Sequence, residues 1–212
     1  MKSTGANYNL QSLNNTSINL TDMKALIIIL IVSIFAWALN SCSSGASADN
    51  TAPSKDSLVK RGNYLVTVLG CNDCHSPKHM GPQGPVIDSA TALSGFPSNR
   101  PVPVPEANDI KNGLVIFSPD LVSATGPWGT TFSANITSDE TGIGTWTEDQ
   151  FKNALRRGKY KGLDGSRMIM PPMPWEDFSH LTDIDIQAIF YYLKSTKPVK
   201  NMVPAFRPAG KS

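Results

Sequence analysis

Apolar positions fall into different rhythms along this chain. Residues 25–39 (ALIIILIVSIFAWAL) form an apolar run, interrupted only by Ser33 and preceded by Lys24. From 58 to 70 (LVKRGNYLVTVLG), Leu58, Gly62, Leu65 and Leu69 share one helical stripe, Val59 and Val66 lie beside it, and Gly70 is a natural stop. A glycine inside a helix costs up to about 1 kcal/mol against alanine, so Gly62 predicts a close helix crossing. Near the other end, Thr182 offers a hydroxyl cap and Asp183 and Asp185 an acidic first turn. Ile186, Ile189, Phe190 and Leu193 then follow at i, i+3, i+4 and i+7. Phe190 or Tyr192 would lie across Gly62, so that the two terminal helices pack crosswise. A third helix is predicted from Glu148 to about Arg157, capped by Thr147 and carrying Phe151 and Leu155. Residues 80–135 show neither period. Their stretches GPQGP, SGFPSNRPVPVPE and SATGPWGTTFSAN predict a long loop with short extended pieces such as 114–117.

Between the first helix and that loop stands Cys71-Asn72-Asp73-Cys74-His75, a C-x-x-C-H run. It reads as the attachment site of one c-type haem, with thioether bonds from Cys71 and Cys74 and His75 as the proximal iron ligand. One-electron chemistry would then belong to the iron. Zinc is the rival reading, but a closed zinc site wants four N/S ligands, and His79 as the fourth would crowd them into nine residues. A thioredoxin-like pair would need a surrounding βαβ pattern, which is missing. The helices then read as an all-α fold wrapped around one covalently bound haem, with a long loop-rich insertion.

The amino-terminal run is short for a membrane span, which needs about 20 apolar residues. With its basic start and the small residues after it, it reads as an export signal over 23–41. Leu39-Asn40-Ser41-Cys42 resembles a lipobox, with Cys42 lipidated, although Asn40 is unusual there. Residues 1–22 are polar and read as a non-native or extended leader. Residues 42–57 read as the lipidated cysteine and a flexible tether reaching roughly 20 Å, 58–200 as one domain and 201–212 as a tail. The three cysteines are thereby accounted for. The expected location is the periplasmic side of a membrane, where c-type maturation takes place. With 19 basic against 17 acidic residues, the charge balance gives no case for nucleic acid.

The sixth ligand is expected from 167–175 (RMIMPPMPW). Met173 is favoured because each flanking proline restricts its predecessor to an extended approach, and the last helix begins soon after. Met170 and Met168 stay open as alternatives. Met80 lies too near His75, and Met202 falls in the tail. His79 and His180 are rival ligands whose bland reading is exposure. Pro82 or Pro85 would offer the carbonyl that orients the proximal imidazole. Trp146, Trp175 and Arg167 could donate to haem propionates or pack on the ring.

The stretches RGNYLV before GCNDCH, NITSDETGIGTWTEDQFKNALRRG and PPMPWEDFSHLTDIDIQAIFYYLKS resemble the class I cytochrome c family. The similarity is greatest to bacterial single-haem domains found as accessory cytochromes and as cytochrome subunits of periplasmic dehydrogenases. That resemblance implies Cys71 and Cys74 as haem c attachments and His75 and Met173 as axial ligands. It implies an electron carrier, not an enzyme, working between exported or membrane-bound redox partners such as a dehydrogenase or oxidase. The long 80–135 insertion departs from the family. Two other functions compete: a haem enzyme with a labile methionine, or a ligand sensor whose long loop moves. The basic run Arg156, Arg157, Lys159, Lys161 and Arg167 would steer an acidic partner or simply be a solvated helix end.

Overall fold

The structure is a computed structural model. It describes residues 52–210, apart from 103 and 105, and a few positions between 21 and 31. The readings for 1–22, for most of the export signal, and for Cys42 with the tether up to 51 lie outside the described residues. Among the described residues no helix is long and apolar enough to cross a membrane.

Helix α1 (Lys55–Val68) starts within the expected tether, three residues before Leu58, because the Ser54 hydroxyl accepts from the Ser57 N–H at 3.2 Å. Helix α2 (Cys71–His75) follows directly, entered through Gly70 at φ 68°. Helix α3 spans Ala107–Lys111. Helix α4 (Glu148–Arg157) has the expected bounds. Its start is a capping box between Thr147 and Gln150, and left-handed Gly158 ends it. After a 3₁₀ turn at Tyr160–Gly162 come α5 (Trp175–Phe178) and α6 (Asp183–Ser195), the last capped by Thr182.

The central packing is the crossing of α1 and α6. A Cβ on Gly62 would overlap the Ala188 carbonyl and lie 2.6 Å from Tyr192 Cβ. The glycine therefore buys backbone proximity. Leu58, Leu65 and Val66 meet Ile186, Ile189, Phe190 and Leu193 there, and α4 adds Phe151 and Leu155. Of the two aromatics expected across Gly62, Tyr192 is the one that meets it, while Phe190 turns to Phe151 at 5.5 Å between ring centroids.

The all-α expectation is corrected. Two antiparallel sheets accompany the helices: a hairpin of β1 (Lys78–Gly81) with β2 (Gly84–Ile87), and a four-stranded sheet ordered β3-β4-β5-β6. The latter comprises β3 (Ile116–Phe117), β4 (Ser123–Gly126), β5 (Gly129–Phe132) and β6 (Arg207–Pro208). Among the described residues no strand exceeds four residues, too few to print an alternating pattern among glycines and prolines. The supposed loop is thus built structure. Phe96 and Phe132 stack edge to face at 4.9 Å, with Val122 and Ala124 buried nearby. The segment after 200 is tied in as well. Buried Asn201 donates to the Ser94 and Phe96 carbonyls, and Arg207 pairs with Thr130.

Candidate haem site

The C-x-x-C-H run folds as one helical turn, which places Cys71 and Cys74 on a common face at i, i+3. His75 is buried, and its Nδ1–H donates to the Ala134 carbonyl at 2.8 Å. That bond fixes the ring and leaves Nε2 for a metal. Burial holds the imidazole pKa below its usual value despite the Ala134 bond, so the lone pair stays available. The orienting carbonyl is therefore Ala134, not Pro82 or Pro85; Pro85 is engaged in β2 opposite Met80.

Further bonds lock the turn. Gly95 N donates to the His75 carbonyl at 2.8 Å, and Ser76 Oγ accepts from Leu93 N at 2.9 Å. Lys78 Nζ caps the helix end on the Asp73 carbonyl at 2.6 Å and reaches Asp120 O at 2.9 Å. Both cysteines are free thiols. Burial pushes the Cys71 thiol up to about 11 and raises Cys74 too, so both are protonated at neutral pH. The zinc reading finds no support: His79 is exposed on β1, and among the described residues no three His, Cys, Asp or Glu side chains gather for a metal.

The methionine-bearing segment leaves α4 through a β-bridge between Lys159 and Met168 and an Ile169 N to Gly158 O bond at 2.7 Å. It passes a cis Pro171–Pro172 bond and reaches Met173 just before α5. Met173 is half-buried against the core cluster that Cys71, Leu69, Ile136 and Trp146 also border. The other methionines expected as alternatives differ. Met80, Met168 and Met202 are exposed, and Met170 is half-buried without joining that cluster. His180 is exposed. A cavity of about 230 Å³ lies between Met173, its flanking prolines and Trp175.

These residues fit a haem. They offer a neutral, oriented imidazole, two thiols on one helical face, and a thioether that borders the same apolar cluster as Cys71. Other expected contributors are spent elsewhere. The Trp175 ring covers Gly158, and Arg167 stacks on Tyr160 at 3.9 Å and on Phe206 at 5.3 Å. Within the basic run, Arg156 pairs with Asp183 at 2.7 Å and Arg157 with Asp164 at 2.9 Å. Two residues that bear on the site carried no signal in the sequence: Ala134, which acts through its backbone, and Thr131, whose hydroxyl donates to the Pro171 carbonyl at 2.8 Å.

No protein-family model matches the chain. Individual proteins do, over part of their length. It is 33% identical to the gluconate 2-dehydrogenase cytochrome c subunit of Pantoea cypripedii over 80% of this chain and 30% of that protein. It is 34% identical to the cytochrome c subunit of the quinone alcohol dehydrogenase of Gluconobacter oxydans (strain 621H), over 68% of this chain and 23% of that one. The fructose dehydrogenase cytochrome subunit of Gluconobacter japonicus is 29% identical over 66% of this chain and 22% of that one. The chain spans less than a third of each relative's length. Site and similarity together point to one class: the relatives are cytochrome c subunits, consistent with a cytochrome c domain in this chain. More particularly, those relatives are the cytochrome subunits of dehydrogenases.

Proposed function

We propose that this chain is a single-haem electron carrier in which Cys71 and Cys74 form thioether bonds to the porphyrin and His75 and Met173 bind the iron from opposite faces. It accepts electrons from a dehydrogenase and hands them to a further redox protein. It works outside the cytoplasm, held to a membrane by lipid on Cys42. The observation that carries this reading is the His75 Nδ1–Ala134 O bond within a buried C-x-x-C-H turn, because it dedicates Nε2 to a metal. The haem, when bound, supplies a one-electron change at iron.

The chain's own residues set the conditions for that change. Burial keeps the imidazole neutral and the Ala134 carbonyl keeps it oriented, the flanking core keeps water from the ring, and a thioether opposite histidine favours the reduced state. Filled axial positions leave no open site for chemistry on a substrate, which separates this reading from the haem-enzyme and sensor alternatives. The test is the visible absorption spectrum of the mature, haem-loaded chain beside Met173→Ala. A low-spin spectrum with a methionine-to-iron charge-transfer band, abolished in the variant, is expected. A high-spin spectrum, or a band indifferent to the substitution, would overturn the ligation.

A further inference from the structure

We propose that Thr131 is a positioning residue for the sixth ligand: its hydroxyl grips the backbone of the methionine loop and holds Met173 toward the haem. The inference rests on the reading of Met173 as that ligand. Pro171, Pro172 and Pro174 have no N–H, so this stretch can be gripped from outside almost entirely through its carbonyls. Met173 O and Pro174 O accept from Trp175 N and Phe178 N, which belong to the helix that follows. The bridge at Met168 and the bond from Ile169 secure only the earlier half of the loop.

Thr131 Oγ1 to Pro171 O, at 2.8 Å, is among the described residues the one hydrogen bond reaching 170–174 from outside the loop and α5. The same hydroxyl lies 3.1 Å from the Ala124 carbonyl. The donor is itself firmly held. Thr131 is 9% exposed, on β5, which is paired on both edges with β4 and β6. Three residues further along this backbone, Ala134 O receives the His75 Nδ1–H. One segment, Thr131–Ala134, thus reaches both the proximal histidine and the loop carrying the opposite ligand.

Removing the hydroxyl leaves the Pro171 carbonyl without its donor and allows Met173 to leave the iron more often. In the haem-loaded full chain, reduced Thr131→Val is expected to bind carbon monoxide about five-fold faster than the wild type, the factor one neutral hydrogen bond confers. Its charge-transfer band should weaken, and Thr131→Ser should restore both. Thr131→Ala gives the same reading where valine is not accommodated. Wild-type carbon monoxide kinetics and an intact band in the valine or alanine variant, even with a lower unfolding temperature, would overturn the proposal and leave Thr131 a strand residue. Met173→Ala in the same assay separates the two failures. If it binds carbon monoxide no faster than the wild type, the ligand assignment itself falls.

Discussion

Cys71–His75 and Met170–Pro174, the two segments proposed to ligate one haem, are secured very differently. The first is a helical turn whose histidine is buried and bonded to Gly95 and Ala134, and whose end is capped by Lys78 on the Asp73 carbonyl. The second is a proline-rich excursion, exposed at three of its five residues, beside a cavity of about 230 Å³, with one hydrogen bond from outside the loop and α5 among the described residues. A ligand held by many bonds stays; a ligand held by few can be exchanged or tuned. The contrast locates stability on the histidine side and adjustability on the methionine side.

The largest expected effects come from cutting the attachment itself. Replacing Cys71 and Cys74 together by serine should leave no haem bound after extraction with acidified organic solvent, whereas the wild type should retain all of it. Full extraction from the wild type would refute the thioether assignment. Met173→Ala comes next and should sharpen the contrast. The haem stays attached and His75 stays ligated, but the reduction potential falls by at least ~0.1 V, a modest part of the ~0.8 V that axial ligation spans. Potentiometric titration checks it, and an unchanged potential would count against Met173.

The same asymmetry governed how much could be read from the sequence. The C-x-x-C-H run, the Thr147 and Thr182 caps and the Gly62 crossing are local or periodic signals, and each appears in the structure where expected. The strands were hidden because they are two to four residues long and their pairing is partly remote: β6, at 207–208, completes a sheet begun at 116. Ala134 was illegible for a different reason. A carbonyl acceptor has no side-chain identity, so any residue there would do the same work. The Thr131 hydroxyl is one among many in 123–137, and only the fold singles it out. Arg167 was read as a propionate donor or ring-packing residue, and its stacking between Tyr160 and Phe206 depends on a tail segment expected to lie outside the domain.

Both sides of the site stand on the α1–α6 crossing, so loosening it tests whether the contrast is intrinsic. Gly62→Ala places a methyl into the Ala188 carbonyl and against Tyr192, and should cost ~1–3 kcal/mol, the range for an overpacked core. Denaturant unfolding followed at two signals is the measurement. The charge-transfer band should vanish at lower denaturant than the histidine-ligated haem spectrum, and Gly62→Ala should shift both midpoints down while keeping that order. Coincident loss of the two signals in both proteins would break the comparison.

The smallest effect concerns acid. Asp185, at the start of α6, accepts from Arg61 Nε at 2.6 Å and from the Thr182 hydroxyl at 2.6 Å. Burial alone would raise its pKa, but the Thr182 hydroxyl and the Arg61 guanidinium outweigh it and hold the carboxyl below its usual value. A carboxylate with a depressed folded pKa contributes stability that is fully present above its unfolded value near ~3.9 and is lost as pH falls through the folded value. Because the Arg61 side chain is 52% exposed, the pair is worth about 1 kcal/mol. Asp185→Asn should therefore lower stability by that amount at pH 7 and lose less than the wild type between pH 5 and 3. The pair anchors α6, which follows the methionine loop after the short helix α5, so in the wild type the charge-transfer band should fade before the haem spectrum as acid is added. Acid profiles that superimpose for wild type and Asp185→Asn would show that the α1–α6 ion pair has no part in holding the methionine side.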